Sequence, residues 1–235
     1  VLWAVVVGAA LKYLLNEGLT RWQLATGATL LEGCARHLGR WALNAFLAYL
    51  LVWSYLVAIA LMSACGVATA AMFPVFAQLE TGKVVFGVLH SLVALALIAV
   101  GGFRLFERVM SFCIGVMFFV VVATALALRP SLAEIAVGLT LPRIPDLGGE
   151  GLPWTIALLG GVGGTVTVLC YGFWIREEGR QDADALQACR LDLGVGYTMT
   201  ALFGLAMIVI GSQLGDVEGS GARMIVNIAD KIGRA

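Results

Sequence analysis

Charge is what this sequence has least of. Only 13% of its 235 residues are Asp, Glu, Lys or Arg, and positions 41 to 79 carry none at all. Soluble domains are about 25% charged, so composition alone makes this a membrane protein whose first partner is the lipid bilayer. The few charges also cancel, 15 basic against 15 acidic. That removes the positive field a nucleic-acid ligand requires, and no nucleic-acid partner is expected. Histidine occurs only at His37 and His90. The five cysteines, Cys34, Cys65, Cys113, Cys170 and Cys189, lie far apart and form no CxxC or Cys/His cluster. A zinc site and a disulfide framework are both disfavoured. No nucleophile is spaced with a base, so an enzyme is not expected, and no cofactor is implied.

What is present is apolar residue, 60% of the chain, with a mean hydropathy of +0.94. A helix needs about 20 mostly apolar residues to cross a hydrocarbon core of about 30 Å. Six stretches qualify, at about 1–15, 41–73, 84–103, 109–128, 153–175 and 194–214. The fold class expected is an all-α polytopic membrane protein. The first run has no initiator methionine, charged flank or cleavage site, so it reads as a helix cut into and not as a signal peptide. With a polar stretch, GSGARMIVNIADKIGRA, after the last run, the chain is expected to be a fragment at both ends.

Lys and Arg in short loops set orientation. One set of connections holds Lys12, Arg21, Arg36, Arg40, Arg104, Arg108, Arg176, Arg180 and Arg190, whereas the opposite set, leaving out the tail, holds Lys83, Arg129 and Arg143. The segments 16–40, 104–108 and 176–193 are therefore expected in the cytoplasm. Residues 16–40 mix polar and apolar positions with four glycines and read as an interfacial helix-loop. In the external connection, Ser131 and Glu134 have capping-box spacing, which predicts a short helix. Prolines at 130, 142, 145 and 153 make this connection the divide between two halves, 1–128 and 153–235, with 129–152 as the loop.

The charge-free span 41–73 reads as a packing helix, with Ser63, Ala64, Gly66 and Ala68 at its contacts. His90 is the only histidine inside a span; a proton relay is one reading and a backbone-bonded histidine the commoner one. In FRLFER, Glu107 and Arg108 read as an anchor and a salt bridge at a helix mouth. The segment 158–174, LLGGVGGTVTVLCYGFW, is different. Gly160 and Gly164 have GxxxG spacing for close helix contact, but Gly161, Gly163, Thr165 and Thr167 remain unexplained by it. Glycine costs close to 1 kcal/mol in a helix interior, and four within five positions predict an interrupted helix at 160–167. Broken helices at membrane depth line a cavity or lie in protein, and in transporters they carry the substrate site. From 155 to 169 there is no Met, His, Asp or Glu. The donors on offer are carbonyls and hydroxyls, which suit hard cations, and any carboxylate has to come from another helix.

At these residues the chain resembles the Nramp family of divalent metal transporters. Leu2 and Trp3 followed by ATGATLLEG at 25–33 are similar to the family's second helix, GFRLFER at 102–108 is similar to the GFR-x-x-E opening of its fifth, and GGTVTVLCYG at 163–172 lies where its sixth carries GATVMPHNLY. The resemblance implies helices two to seven of an eleven-helix, LeuT-like inverted-repeat fold, with the first-helix DPG motif upstream of Val1. It puts the metal-coordinating carbonyl on Gly164 and the family's methionine ligand on Thr167, with Gly163 and Thr165 as secondary lining. Proline and histidine of the pattern become Val168 and Leu169, and two acidic positions of the family's proton path fall on Ala60 and Ser63. With a thioether and acids replaced, the pattern GxGGTVTxLxYGxWIREEGR looks like the Nramp-related magnesium transporter branch. That branch implies an inner-membrane importer of Mg²⁺, with Mn²⁺ as a second candidate, not coupled to protons. A proton-coupled Mn²⁺/Fe²⁺ transporter and an amino-acid permease of the same superfamily are the alternatives.

Overall fold

A computed structural model describes residues 1–146, 148–161, 165–180 and 184–214. Every described element is an α-helix: α1 (Leu2–Thr26), α2 (Leu30–Leu38), α3 (Arg40–Met72), α4 (Leu79–Ala127), α5 (Leu132–Thr140), α6 (Gly151–Gly161), α7 (Thr165–Glu177) and α8 (Ala185–Leu214). Six stretches have the length and apolarity of membrane spans: Leu2–Thr26, Arg40–Met72, Leu79–Gly102, Arg104–Ala127, Gly151–Glu177 and Ala185–Ser212. The chain has an all-α polytopic membrane fold.

The segment 16–40 corrects the interfacial helix-loop expected there. The first helix runs through Asn16, Glu17, Thr20 and Gln23, all buried, to Thr26. These polar residues recur on one helical face, and each finds a partner on that face or across it, so burial does not penalise them. Gly27, at φ 68°, ends the helix in the left-handed region, where glycine carries no Cβ penalty. Two residues later Thr29 opens α2 with a reciprocal capping box. Its hydroxyl accepts from the Glu32 N–H at 3.4 Å, and its own N–H donates to Glu32 Oε2 at 2.7 Å. Lys12, counted with the loops by sequence, lies inside α1, and α8 begins at Ala185, well before the expected 194.

Straight, the 49 residues of α4 would measure about 74 Å, more than twice a hydrocarbon core of about 30 Å. Gly102, at φ 60° and ψ −168°, divides them into two spans through a conformation that is essentially glycine's alone. The short helix expected in the external connection is present as α5, whose first free N–H groups include that of Glu134, donating to Ser131 Oγ at 3.4 Å.

The described residues group into two compact units, one within 1–44 and 121–210, the other within 45–120 and 211–214. In the first, Val5 and Ala9 of α1 pack against Leu158, Ala201, Leu205 and Ile208. A second cluster joins Tyr171, Ile175, Cys189, Leu193 and Tyr197, with Tyr13 and Leu24 against it. In the second unit α3 and α4 meet through small residues. A Cβ on Gly66 would collide with the Lys83 carbonyl, one on Gly87 would come within 3.0 Å of the Met62 carbonyl, and one on Gly82 within 2.9 Å of Ala70 Cβ. Of the small residues expected at this helix's contacts, Gly66 is the one buried there, joined by Ala70. His90 Nδ1 lies 2.8 Å from the Phe86 carbonyl, the backbone-bonded arrangement. The salt bridge expected of Glu107 and Arg108 does not form: among the described residues neither has an ion-pair partner. Helical neighbours one apart point about 100° away from each other.

Candidate functional site

The polar face of α1 organises the first unit. Lys12, Asn16 and Gln23 each reach a different element. The Lys12 ammonium donates to the Gly160 carbonyl at 2.9 Å, in the last turn of α6. Asn16 Nδ2 donates to the Tyr197 hydroxyl of α8 at 3.2 Å. Gln23 Nε2 donates to the Gly172 carbonyl of α7 at 2.6 Å. A Cβ at 172 would come within 2.5 Å of Gln23 Oε1, so a larger residue there would push the end of that side chain aside. Between α1 and α7, Asn16, Thr20, Gln23, Val168, Leu169 and Gly172 line a narrow cleft.

Further along α1, Glu17 is a junction. Its side chain is only 11% exposed and accepts from Arg21 at 2.7 and 2.8 Å and from Arg190 Nε of α8 at 2.7 Å. A carboxylate this buried needs such partners to stay charged. Glu32 on α2 accepts from Arg176 of α7 at 2.7 and 3.1 Å. That guanidinium, joined by the Thr29 N–H, holds the Glu32 carboxyl down to about 2 from its ordinary 4.5. The Asp192 carboxylate beside Arg180, helped by the Cys189 thiol, pushes the Arg180 pKa up. Among the described residues, no buried side-chain nitrogen or oxygen lacks a partner.

The site expected from the sequence falls at the junction of α6 and α7. Of the interruption expected at 160–167, Gly160 and Gly161 are helical in α6 and Thr165 to Thr167 are helical in α7. Gly163 and Gly164 lie outside the described residues. Thr165 opens α7, and Thr167 is exposed two residues on, next to the cleft residue Val168. Among the described residues no three His, Cys, Asp or Glu side chains converge, and the oxygens on offer nearby are carbonyls and hydroxyls. Sequence reasoning missed the inward role of α1. Its signals were a lone lysine within an apolar run, the recurrence of Asn16, Thr20 and Gln23 on one helical face, and the Thr29-x-x-Glu32 spacing.

The description "natural resistance-associated macrophage protein-like", Nramp, matches residues 1–226 of the chain. No curated protein and no solved structure matches it. The match covers nearly the whole sequence and agrees with six apolar helices of spanning length. It makes the chain a multi-pass membrane protein whose substrate is a divalent metal ion and whose work is transport, not catalysis. The chain belongs to the Nramp family of divalent metal transporters.

Proposed function

We propose that the protein imports Mg²⁺, and Mn²⁺ less readily, across an inner membrane, down the ion's electrochemical gradient and without proton coupling. The ion binds at mid-membrane between α6 and α7, at the Gly164 carbonyl and Thr167, with Gly163 and Thr165 beside them. In this reading residues 1–128 supply helices two to five of the transporter, 129–152 an external loop, and 153–235 helices six and seven with the loop that follows.

One observation carries the reading: Thr167 stands where the family pattern has methionine. Thioether sulfur favours the later transition metals, and oxygen favours hard cations. Mg²⁺ sheds water reluctantly, and threonine with glycine in place of methionine with alanine gives a wider, oxygen-lined site for an ion that keeps part of its hydration shell. Alanine and serine at positions 60 and 63 remove carboxylates that a proton path would use.

The test is metal uptake by the full-length protein in liposomes, with lumenal pH followed in parallel. Mg²⁺ is expected to enter without acidifying the lumen. Uptake of Mn²⁺ that excludes Mg²⁺ and carries protons would overturn both parts of the reading. Thr167→Met is expected to lower the Mg²⁺ to Mn²⁺ uptake ratio by about tenfold, on the scale of one metal–ligand preference; an unchanged ratio removes Thr167 from the site.

A further inference from the structure

The corner between α2 and α3 carries three basic side chains. Arg36 and His37 lie in the last turn of α2 and Arg40 opens α3, with Gly39 alone between the two helices. All three are exposed. Among the described residues neither arginine has an ion-pair partner, whereas Glu32 on the same helix is engaged by Arg176 at 2.7 and 3.1 Å. The corner therefore presents net positive charge. Positions 41 to 79 carry no charge, so the hydrocarbon begins just past Arg40. Trp41, the next residue, is 70% exposed, and tryptophan at a span's entrance marks the headgroup level.

Helix α2 has the pattern of a helix that lies in the interface. Leu30, Cys34 and Leu38 recur on one face, while Glu32 and Arg36 share another. From the protein side α2 is already held: a Cβ on Gly33 would collide with the Trp22 ring of α1, and Arg176 of α7 grips Glu32. What stays open is the end with Arg36, His37, Leu38 and Arg40. We infer that this corner binds the headgroup of an anionic phospholipid, with Arg36 and Arg40 on the phosphate oxygens, His37 beside them, and Leu38 and Trp41 against the acyl chains. Charge complementarity selects that occupant. A zwitterionic headgroup brings its phosphate with a compensating ammonium, whereas an anionic one brings net negative charge to guanidinium forks whose geometry matches phosphate. With lipid bound, α2 is fixed on both sides, and its grip on α7 through Glu32 is braced whichever ion the protein carries.

The experiment titrates the full-length protein in a non-ionic detergent with phosphatidylglycerol, phosphatidylcholine or inorganic phosphate. Native mass spectrometry counts the lipids retained, and the melting temperature is followed in parallel. Wild type is expected to retain phosphatidylglycerol at lower concentration than phosphatidylcholine and to melt higher with it. Each basic side chain at a lipid surface changes affinity about fivefold. Arg36→Gln combined with Arg40→Gln is therefore expected to weaken phosphatidylglycerol retention about twentyfold and to leave phosphatidylcholine unchanged. Arg36→Lys with Arg40→Lys keeps both charges and is expected to stay within about threefold of wild type. Equal retention of the two lipids by wild type, or wild-type retention by the double glutamine variant, overturns the proposal. Inorganic phosphate that raises the melting temperature as much as the lipid also overturns it, because the corner then holds a free anion. Should the glutamine variant fail to fold, vesicles of equal phosphatidylglycerol and phosphatidylcholine, brominated on one or the other, decide. Brominated phosphatidylglycerol is expected to quench wild-type tryptophan fluorescence more than brominated phosphatidylcholine, and the excess to vanish in Trp41→Phe. An excess that persists, or none in wild type, overturns the proposal.

Discussion

Between α3 and α4 the contact is made by backbone, with Gly66 against the Lys83 carbonyl and Gly87 against that of Met62. Between α1 and its neighbours it is made by side chains, with Asn16 on Tyr197, Gln23 on Gly172 and Glu17 on Arg190. Lipid tails are as apolar as leucine, so burying apolar surface does not drive either pairing. The α3–α4 pair relies on close approach and dispersion, which needs small residues and tolerates no added atom. The α1 pairings rely on directed polar bonds, which fix register and leave charge inside the bundle. The second arrangement is the one found next to the candidate transport path. That is where polar groups at depth have a use beyond adhesion.

The sharpest way to break the comparison is to enlarge the tightest glycine. Gly66→Leu is expected to cost about 3 kcal/mol, because the atoms it meets belong to the Lys83 main chain and cannot rotate away. Thermal unfolding of the full-length protein in detergent checks it, and a melting point equal to wild type would mean that the two helices are not packed this closely. Next comes the ionic junction of α1. Glu17→Leu is expected to cost about 1–2 kcal/mol, since it leaves Arg21 and Arg190 to be rehydrated. Combining it with Arg190→Met should cost less than the sum of the two single losses; strict additivity would dissolve the junction. The smallest effect belongs to Glu32, which is well exposed. Its pKa is lower in the folded protein than its ordinary 4.5, at about 2. The bond to Arg176 therefore contributes in full above pH 4.5 and is lost as pH falls towards 2. Glu32→Gln should melt slightly below wild type at pH 7, and the gap should close on acidification. A gap independent of pH would assign the loss to packing instead.

Much of the bundle was legible because a span is a local property. A run of apolar residues needs no knowledge of the rest of the chain, and all six spans were visible in that way, as was the Ser131 cap of α5. The polar half of α1 was not legible, for a physical reason. Asn16 and Gln23 read as surface residues until Tyr197 and Gly172 are known, and these lie 181 and 149 positions away. A polar residue is cheap to bury only with its partner, and a single sequence does not display partners. The same holds for Lys12, counted with the loops for its charge although the apolar run 1–15 contains it, and bonded in the structure to the Gly160 carbonyl. The candidate site rests on the sequence: glycines and threonines at 160–167 predict a break from composition, its middle at 162–164 lies outside the described residues, and the ion assigned there depends on one residue, Thr167.

The turn at Gly102 bears on how the protein is made. A single non-helical residue separates Leu79–Gly102 from Arg104–Ala127. A ribosome feeding this stretch to the membrane delivers the second rod directly behind the first, with Arg104, Glu107 and Arg108 as the charged interval between them. A side chain with a Cβ at 102 would strain the one turn on which both rods depend.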